Sequence, residues 1–223
     1  MPPNILMVVT GFSRIDELHS TGLWLEEFAV PYLAFCTAGY GVTVASPSGG
    51  QAPIDAESTA GDIPAQWLKA AGVLQNTQVL GDIHCQDYSA VILPGGHGPL
   101  FDLSADRHLA QLLRAFDREH KLIGAVCHGP AALVGATLAD GRPLVAGRRV
   151  TAFSNEEEQT THLSKVVPFL LETKLRGLGA AFVKDRPWAV HVVRDGNLIT
   201  GQNRQSSLLF TETVLAAITG LPG

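Results

Sequence analysis

The chain has 223 residues, 46% of them hydrophobic, with 16 basic against 21 acidic side chains and a net charge of −5. That length and apolar content suit one compact domain spanning 1–223 and exclude a disordered chain, while the absence of a basic stripe argues against nucleic acid or an anionic membrane as a partner. Three cysteines, an odd number, imply reduced thiols rather than a disulfide framework; with no basic leader at the N-terminus and no apolar run of about 20 residues, a cytoplasmic protein is expected.

Ile5–Val9 is a continuous apolar run closed by Thr10-Gly11, as in a buried strand of a parallel sheet. Residues 11–22 are polar and read as a loop. Trp24 to Ala38 reads as a helix stopped by Gly39, and Val42–Ala45 as the next strand, completing a strand–helix–strand crossover. From Gln51 to Asp87 the pattern is irregular, with one helix around Pro64 to Ala71. Val91–Leu93 is a strand entering Pro94-Gly-Gly-His-Gly98, residues 106–119 are helical, and Leu122–Val126 is a strand running into Cys127-His-Gly-Pro130 and a following helix. Val150 to Phe153, Ala181 to Val183 and Val190 to Val193 read as later strands, and Ser207 to Ile218 as a closing helix. Alternating strands and helices predict an α/β fold, a doubly wound sheet with helices on both faces.

The stretch Gly124-Ala-Val-Cys127-His-Gly129-Pro130 has the form of a nucleophile elbow. Such an elbow is a sharp strand-to-helix turn, with small residues two positions before and two after the nucleophile so that backbones pass closely. Ala125 and Gly129 occupy those positions, and Pro130 suits a first helical turn, where a missing N–H costs nothing. Free N–H groups at a helix start favour an anion, so the Cys127 thiol is expected to be lowered toward thiolate, with His128 as base or ion-pair partner. Cys36, among Leu33, Phe35 and Ala38, reads as core packing. Cys85 lies near His84, Asp82 and Asp87, but the spacing does not support a metal site. His84, His108 and His120 read as surface residues.

At Ala125–Pro130, Leu93–Gly98, Gly22–Glu27 with Pro31-Tyr32, Ala45–Gly50, Phe153–Glu158 and Asp195–Asn203, the chain resembles the ThiJ/PfpI (DJ-1/PfpI) superfamily, whose fold is shared with class I glutamine amidotransferases. It is most similar to the heat-shock branch that includes glutathione-independent glyoxalase III enzymes. The resemblance implies a flavodoxin-like, mostly parallel sheet sandwiched by helices, a homodimer, no cofactor and no metal. It also places Cys127 on the family nucleophile, His128 on its histidine, Glu27 on the carboxylic acid that leans on the sulfur, and Glu158 on the acidic partner of the histidine. Glu156 and Glu157 are alternatives to Glu158, because a run of three acids also suits an exposed helix start. Gly96 and His97 fall where backbone N–H groups form an oxyanion site. The chain departs from the family pattern at Arg204-Gln205, where a proline and a small residue are common, and in the loop from Gly11 to Ser20.

The implied chemistry is conversion of a small carbonyl substrate, methylglyoxal or a related 2-oxoaldehyde, to a 2-hydroxy acid through a Cys127 hemithioacetal. Neither a dinucleotide fingerprint nor zinc-type ligand spacing is present. Other activities fit the same elbow or family: a stress-responsive holding chaperone, a cysteine oxidation sensor, and an amidase or peptidase.

Overall fold

The computed structural model describes residues 4–220; the first three residues of the N-terminal segment and the last three of the chain lie outside them. Nine strands are present in the described residues: β1 Asn4–Val8, β2 Val42–Ser46, β3 Gln78–Val79, β4 Tyr88–Leu93, β5 Leu122–Val126, β6 Arg149–Val150, β7 Ala181–Phe182, β8 Val192–Asp195 and β9 Leu198–Gly201. Six α-helices accompany them: α1 Leu25–Thr37, α2 Ala65–Ala70, α3 Arg107–Arg118, α4 Asn155–Thr160, α5 Leu171–Gly177 and α6 Ser207–Thr219. Seven strands form one sheet in the order β3-β2-β1-β4-β5-β9-β8, parallel except for the β8 edge, and β6 pairs with β7 separately. This is the expected flavodoxin-like α/β architecture.

The central strands are apolar throughout because both faces are covered. On β1, Ile5 and Met7 join Phe28 and Phe35 of α1 and Phe210 and Val214 of α6. Their neighbours Leu6 and Val8 point the other way, toward Leu109, Leu112, Leu113 and Phe116 of α3 and Leu171 and Leu175 of α5. Alternation of period two thus feeds two cores, and each fully buried Leu or Phe contributes about 1.5–3 kcal/mol. On β5, Gly124 leaves room for α6, since a Cβ there would meet the Phe210 ring at 2.9 Å.

Several boundaries differ from the sequence expectation. Val150 to Phe153 is strand only at Arg149–Val150. The helix after Pro130 is a five-residue 3-10 turn, Gly129–Leu133, because Ala131 N–H bonds back to the His128 carbonyl. Strand β9, which pairs in parallel with β5, was not anticipated; its signal was Leu198-Ile-Thr after the Asp195-Gly196-Asn197 turn, where Gly196 has φ +59°. Helices α4 and α5 were also unforeseen, being only 6 and 7 residues long. Cys36 is exposed rather than in the core: the buried stripe of α1 runs through Leu25, Phe28, Ala29 and Phe35, and Cys36 falls beside it. Cys85 is buried, while His84, Asp82 and Asp87 are exposed.

In an open parallel sheet, ligands sit beyond the carboxyl ends of the strands, where the order reverses. Here those ends deliver Gly96 and His97 from beyond β4 and Cys127 from β5 to one crevice.

Candidate active site

Cys127 follows β5 directly and adopts φ +60°, the left-handed region that an L side chain enters only under tertiary compulsion. Its N–H bonds to the Gly201 carbonyl at the end of β9 and its carbonyl accepts from Phe153 N–H, both at 2.9 Å, so the elbow is clamped from two sides. Gly129 is obligatory on steric grounds, because a Cβ there would run into the Leu93 carbonyl. The sharp turn expected from the small residues is present.

Glu27 reaches the site from the first turns of α1. Trp24 N–H bonds to the Gly95 carbonyl at 3.1 Å, docking the helix start onto the loop after β4. That approach needs two glycines. A side chain at 95 would meet Glu27 Oε2 at 2.5 Å, and one at Gly96, whose φ is +91°, would meet Trp24 N at 2.7 Å. Glu27 is fully buried and its Oε2 accepts from Gly95 N–H at 2.9 Å, while Oε1 has no hydrogen-bond partner. Burial pushes this carboxyl up to about 8, against the opposing influence of the nearby Cys127 thiol and the Gly95 N–H. It is a neutral acid at pH 7, and Oε1 is the oxygen left for the proton.

Glu158 lies across the site and is buried, as are His97 and His128. Its Oε2 is 2.7 Å from His128 Nε2 and its Oε1 is 2.9 Å from His97 Nε2, while the Thr161 hydroxyl donates to Oε1 at 2.9 Å. Burial pushes Glu158 up, but the two imidazoles outweigh it and hold the carboxyl below the usual range. A carboxylate only accepts, so both rings present Nε2–H to it. His128 therefore keeps its Nδ1 lone pair free, and that atom lies 3.6 Å from Cys127 Sγ. Burial and the neighbouring His97 both lower the His128 pKa, leaving it a neutral base.

The choice among the three consecutive acids is settled by the cap of α4. Ser154 is the N-cap, and Glu157 closes a capping box with it, bonding Ser154 N–H and Oγ at 2.8 Å. The second oxygen of Glu157 takes Asn203 Nδ2 at 2.7 Å, Trp188 N–H at 2.9 Å and Gln202 Nε2 at 3.1 Å. Glu156 points outward to Lys184 at 2.7 Å. Only Glu158 meets a histidine.

The thiol differs from expectation. Burial pushes Cys127 well above its ordinary value, and the nearby Glu27, once ionised, adds to that, although the His128 N–H opposes it. The 3-10 turn that follows supplies a far weaker dipole than the expected helix, and Cys127 is only 6% exposed. The resting group is a thiol beside a base, not a free thiolate.

Gly96 and His97 line the same cavity as Cys127, and their backbone N–H groups bond no acceptor among the described residues. The cavity measures about 580 Å³. Phe153 packs on the His128 ring at 4.4 Å and meets Trp188 edge-on at 5.5 Å, forming an apolar wall. Trp188, Thr161 and the Glu157 anchor were not legible in the sequence; Arg204, noted only as a departure, lines the cavity too. His97, His128 and Glu158 offer three potential metal-ligand atoms within 4.8 Å of one another. Their hydrogen bonds already account for that closeness, and each imidazole presents a proton rather than a lone pair to Glu158.

The DJ-1/PfpI family model matches residues 19–217, most of the chain. The chain belongs to the DJ-1/PfpI family. Among family relatives, glyoxalase 3 of Candida albicans is 26% identical over 96% of this chain and 97% of its own, and the crystal structure of glyoxalase III from that organism is 25% identical, with a TM-score of 0.87 over 96% and 97% of the two chains. The crystal structure of the Francisella tularensis rapid encystment protein of 24 kDa is 31% identical, with a TM-score of 0.93 over 98% and 99%. A glutamine amidotransferase-like class 1 domain-containing protein of Xenopus laevis is 30% identical over 98% of this chain and 91% of its own. The similarity thus includes the glyoxalase III branch of the DJ-1/PfpI family. No helix among the described residues is long and apolar enough to cross a membrane.

Proposed function

We propose that this protein is a glutathione-independent glyoxalase that converts a 2-oxoaldehyde and water to a 2-hydroxy acid. The observation that carries the reading is the constellation around Cys127: an imidazole nitrogen 3.6 Å from the sulfur and the fully buried Glu27 carboxyl lining the same cavity. Similarity to the Candida albicans glyoxalase supports it.

His128 Nδ1 takes the thiol proton as Sγ bonds to the aldehyde carbon, C1. The resulting oxyanion is held by the N–H groups of Gly96 and His97, which are committed to nothing else. The oxyanion takes the thiol proton back from His128, giving a neutral hemithioacetal and freeing Nδ1, which then removes the C1 proton while Glu27 protonates the C2 oxygen. The enediol collapses as His128 returns its proton to C2 and the C1 hydroxyl gives its proton to Glu27. C1 is thereby oxidised to a thioester while the C2 ketone is reduced to an alcohol. Glu27, with a proton on Oε1, supplies the acid for that transfer, and Glu158 holds the His128 tautomer and steadies the imidazolium. Water then attacks the thioester, the S–C1 bond breaks and the proton returns to sulfur. The internal redox balance requires no external oxidant or reductant.

Incubation with methylglyoxal in the absence of glutathione, with lactate quantified against Cys127→Ala, tests the reading. Lactate from the wild type alone supports it. Absence of lactate while Cys127 remains intact and reactive overturns it and favours the chaperone or oxidation-sensing activities of the same family.

A further inference from the structure

The cavity is larger than its proposed chemistry requires. About 580 Å³ lies in the range of sites for drug-sized ligands and is several times what a three-carbon aldehyde fills. Its lining contains a single lysine or arginine, Arg204, whose guanidinium carbon stands 5.2 Å from the centre of the Trp24 ring. That stacking orients the fork and leaves its N–H donors unspent. Among the described residues Arg204 forms no ion pair, although eight other ionic contacts involve a lysine, arginine or histidine away from the Glu158 cluster. The acids whose charge it feels are Glu26, which does not line the cavity, and Glu27, which burial keeps neutral at pH 7. Of the other lining acids, Asp55 accepts from Glu57 N–H at 3.0 Å and the Thr21 hydroxyl at 3.3 Å, and Glu57 is exposed.

The backbone that presents Arg204 is anchored. The preceding Gln202 and Asn203 are wholly buried and donate to Glu157 Oε1, and Asn203 Oδ1 accepts from Ser206 N–H at 3.2 Å. The backbone N–H of Trp188, whose ring meets Phe153 in the aromatic wall, donates to the same Glu157 oxygen. One buried carboxylate thus fixes both the cation and an aromatic flank of the cavity, as expected of a site built for a ligand with an anionic end and an apolar body.

We infer that Arg204 is a specificity determinant that selects 2-oxoaldehydes carrying a carboxylate or phosphate group beyond the reacting two carbons. This rests on the glyoxalase reading, with the charge-assisted contact from the guanidinium made to the remote anion and not to the reacting carbonyl.

The test compares initial rates on phenylglyoxal and 4-carboxyphenylglyoxal for the wild type and Arg204→Gln, with intact mass confirming that no arginine has been modified by the arylglyoxal. The expected result is a preference of about tenfold in kcat/KM for the carboxylated compound in the wild type, lost in Arg204→Gln through KM. Taking the ratio of the two substrates cancels any change in Glu27 acidity caused by removing the nearby charge. Equal rates on both compounds in the wild type, or a preference that survives Arg204→Gln, overturns the inference and leaves the glyoxalase reading standing. Failure on both compounds with a reactive Cys127 overturns the glyoxalase reading, and the inference with it.

Discussion

Glu27→Gln should make the protein more stable, and increasingly so as pH rises. Glu27 is fully buried and held at about 8 in the folded state, against the ordinary 4.5 expected of the unfolded chain. A raised acid means that the folded state binds the proton where the unfolded state has released it. The Glu27 contribution is therefore intact below about pH 4.5 and lost progressively as pH rises toward 8. The slope is about 1.4 kcal/mol per pH unit, so the cumulative penalty near pH 8 reaches about 5 kcal/mol as an upper bound. Glutamine keeps the shape: its carbonyl oxygen can accept from Gly95 N–H, and its amide occupies the partnerless Oε1 position beside the sulfur. Urea unfolding of both proteins at pH 5, 6, 7 and 8 measures the difference. The gap should widen by several kcal/mol across that range; a gap that stays constant with pH would show that Glu27 ionises normally and remove the basis for its role as a neutral acid.

The other expectations concern the reaction and the elbow. The pH profile of kcat/KM on methylglyoxal should be bell-shaped, because His128 acts as a neutral base and Glu27 as a protonated acid: the acid limb lies below the ordinary histidine value of 6.5 and the alkaline limb near 8. An alkaline limb that persists in Glu27→Gln would assign it to another group. Glu158→Gln should lower kcat by about 10²–10⁴-fold through loss of tautomer control, while KM changes little; steady-state kinetics separate the two. Gly129→Ala should cost several kcal/mol or prevent folding, because its Cβ meets the Leu93 carbonyl on the adjacent strand; a melting temperature within a few degrees of wild type would refute the close approach.

The sequence by itself determined what depends on neighbours along the chain. The apolar strand runs, the Gly39 stop and the elbow at Ala125–Gly129 are local chemistry, and they announced the α/β sheet and Cys127. Strand β9 escaped because four residues with one preceding turn carry little periodicity, although β9 supplies the carbonyl that clamps Cys127 N–H. Tertiary structure decided whatever depends on burial and on contacts between distant segments. Glu27, His97 and Cys127 meet because the strand order sets the ends of β1, β4 and β5 side by side, and Glu158 joins them from α4, whose approach is fixed by the Phe153 N–H bond to the Cys127 carbonyl. Glu158 was distinguished from Glu157 by a capping box that consumes the latter and turns the next residue toward His128. The protonation of the site followed the same logic: a local motif suggests a lowered thiol, but removing water from a sulfur and a carboxyl together raises both, and only the folded chain removes the water.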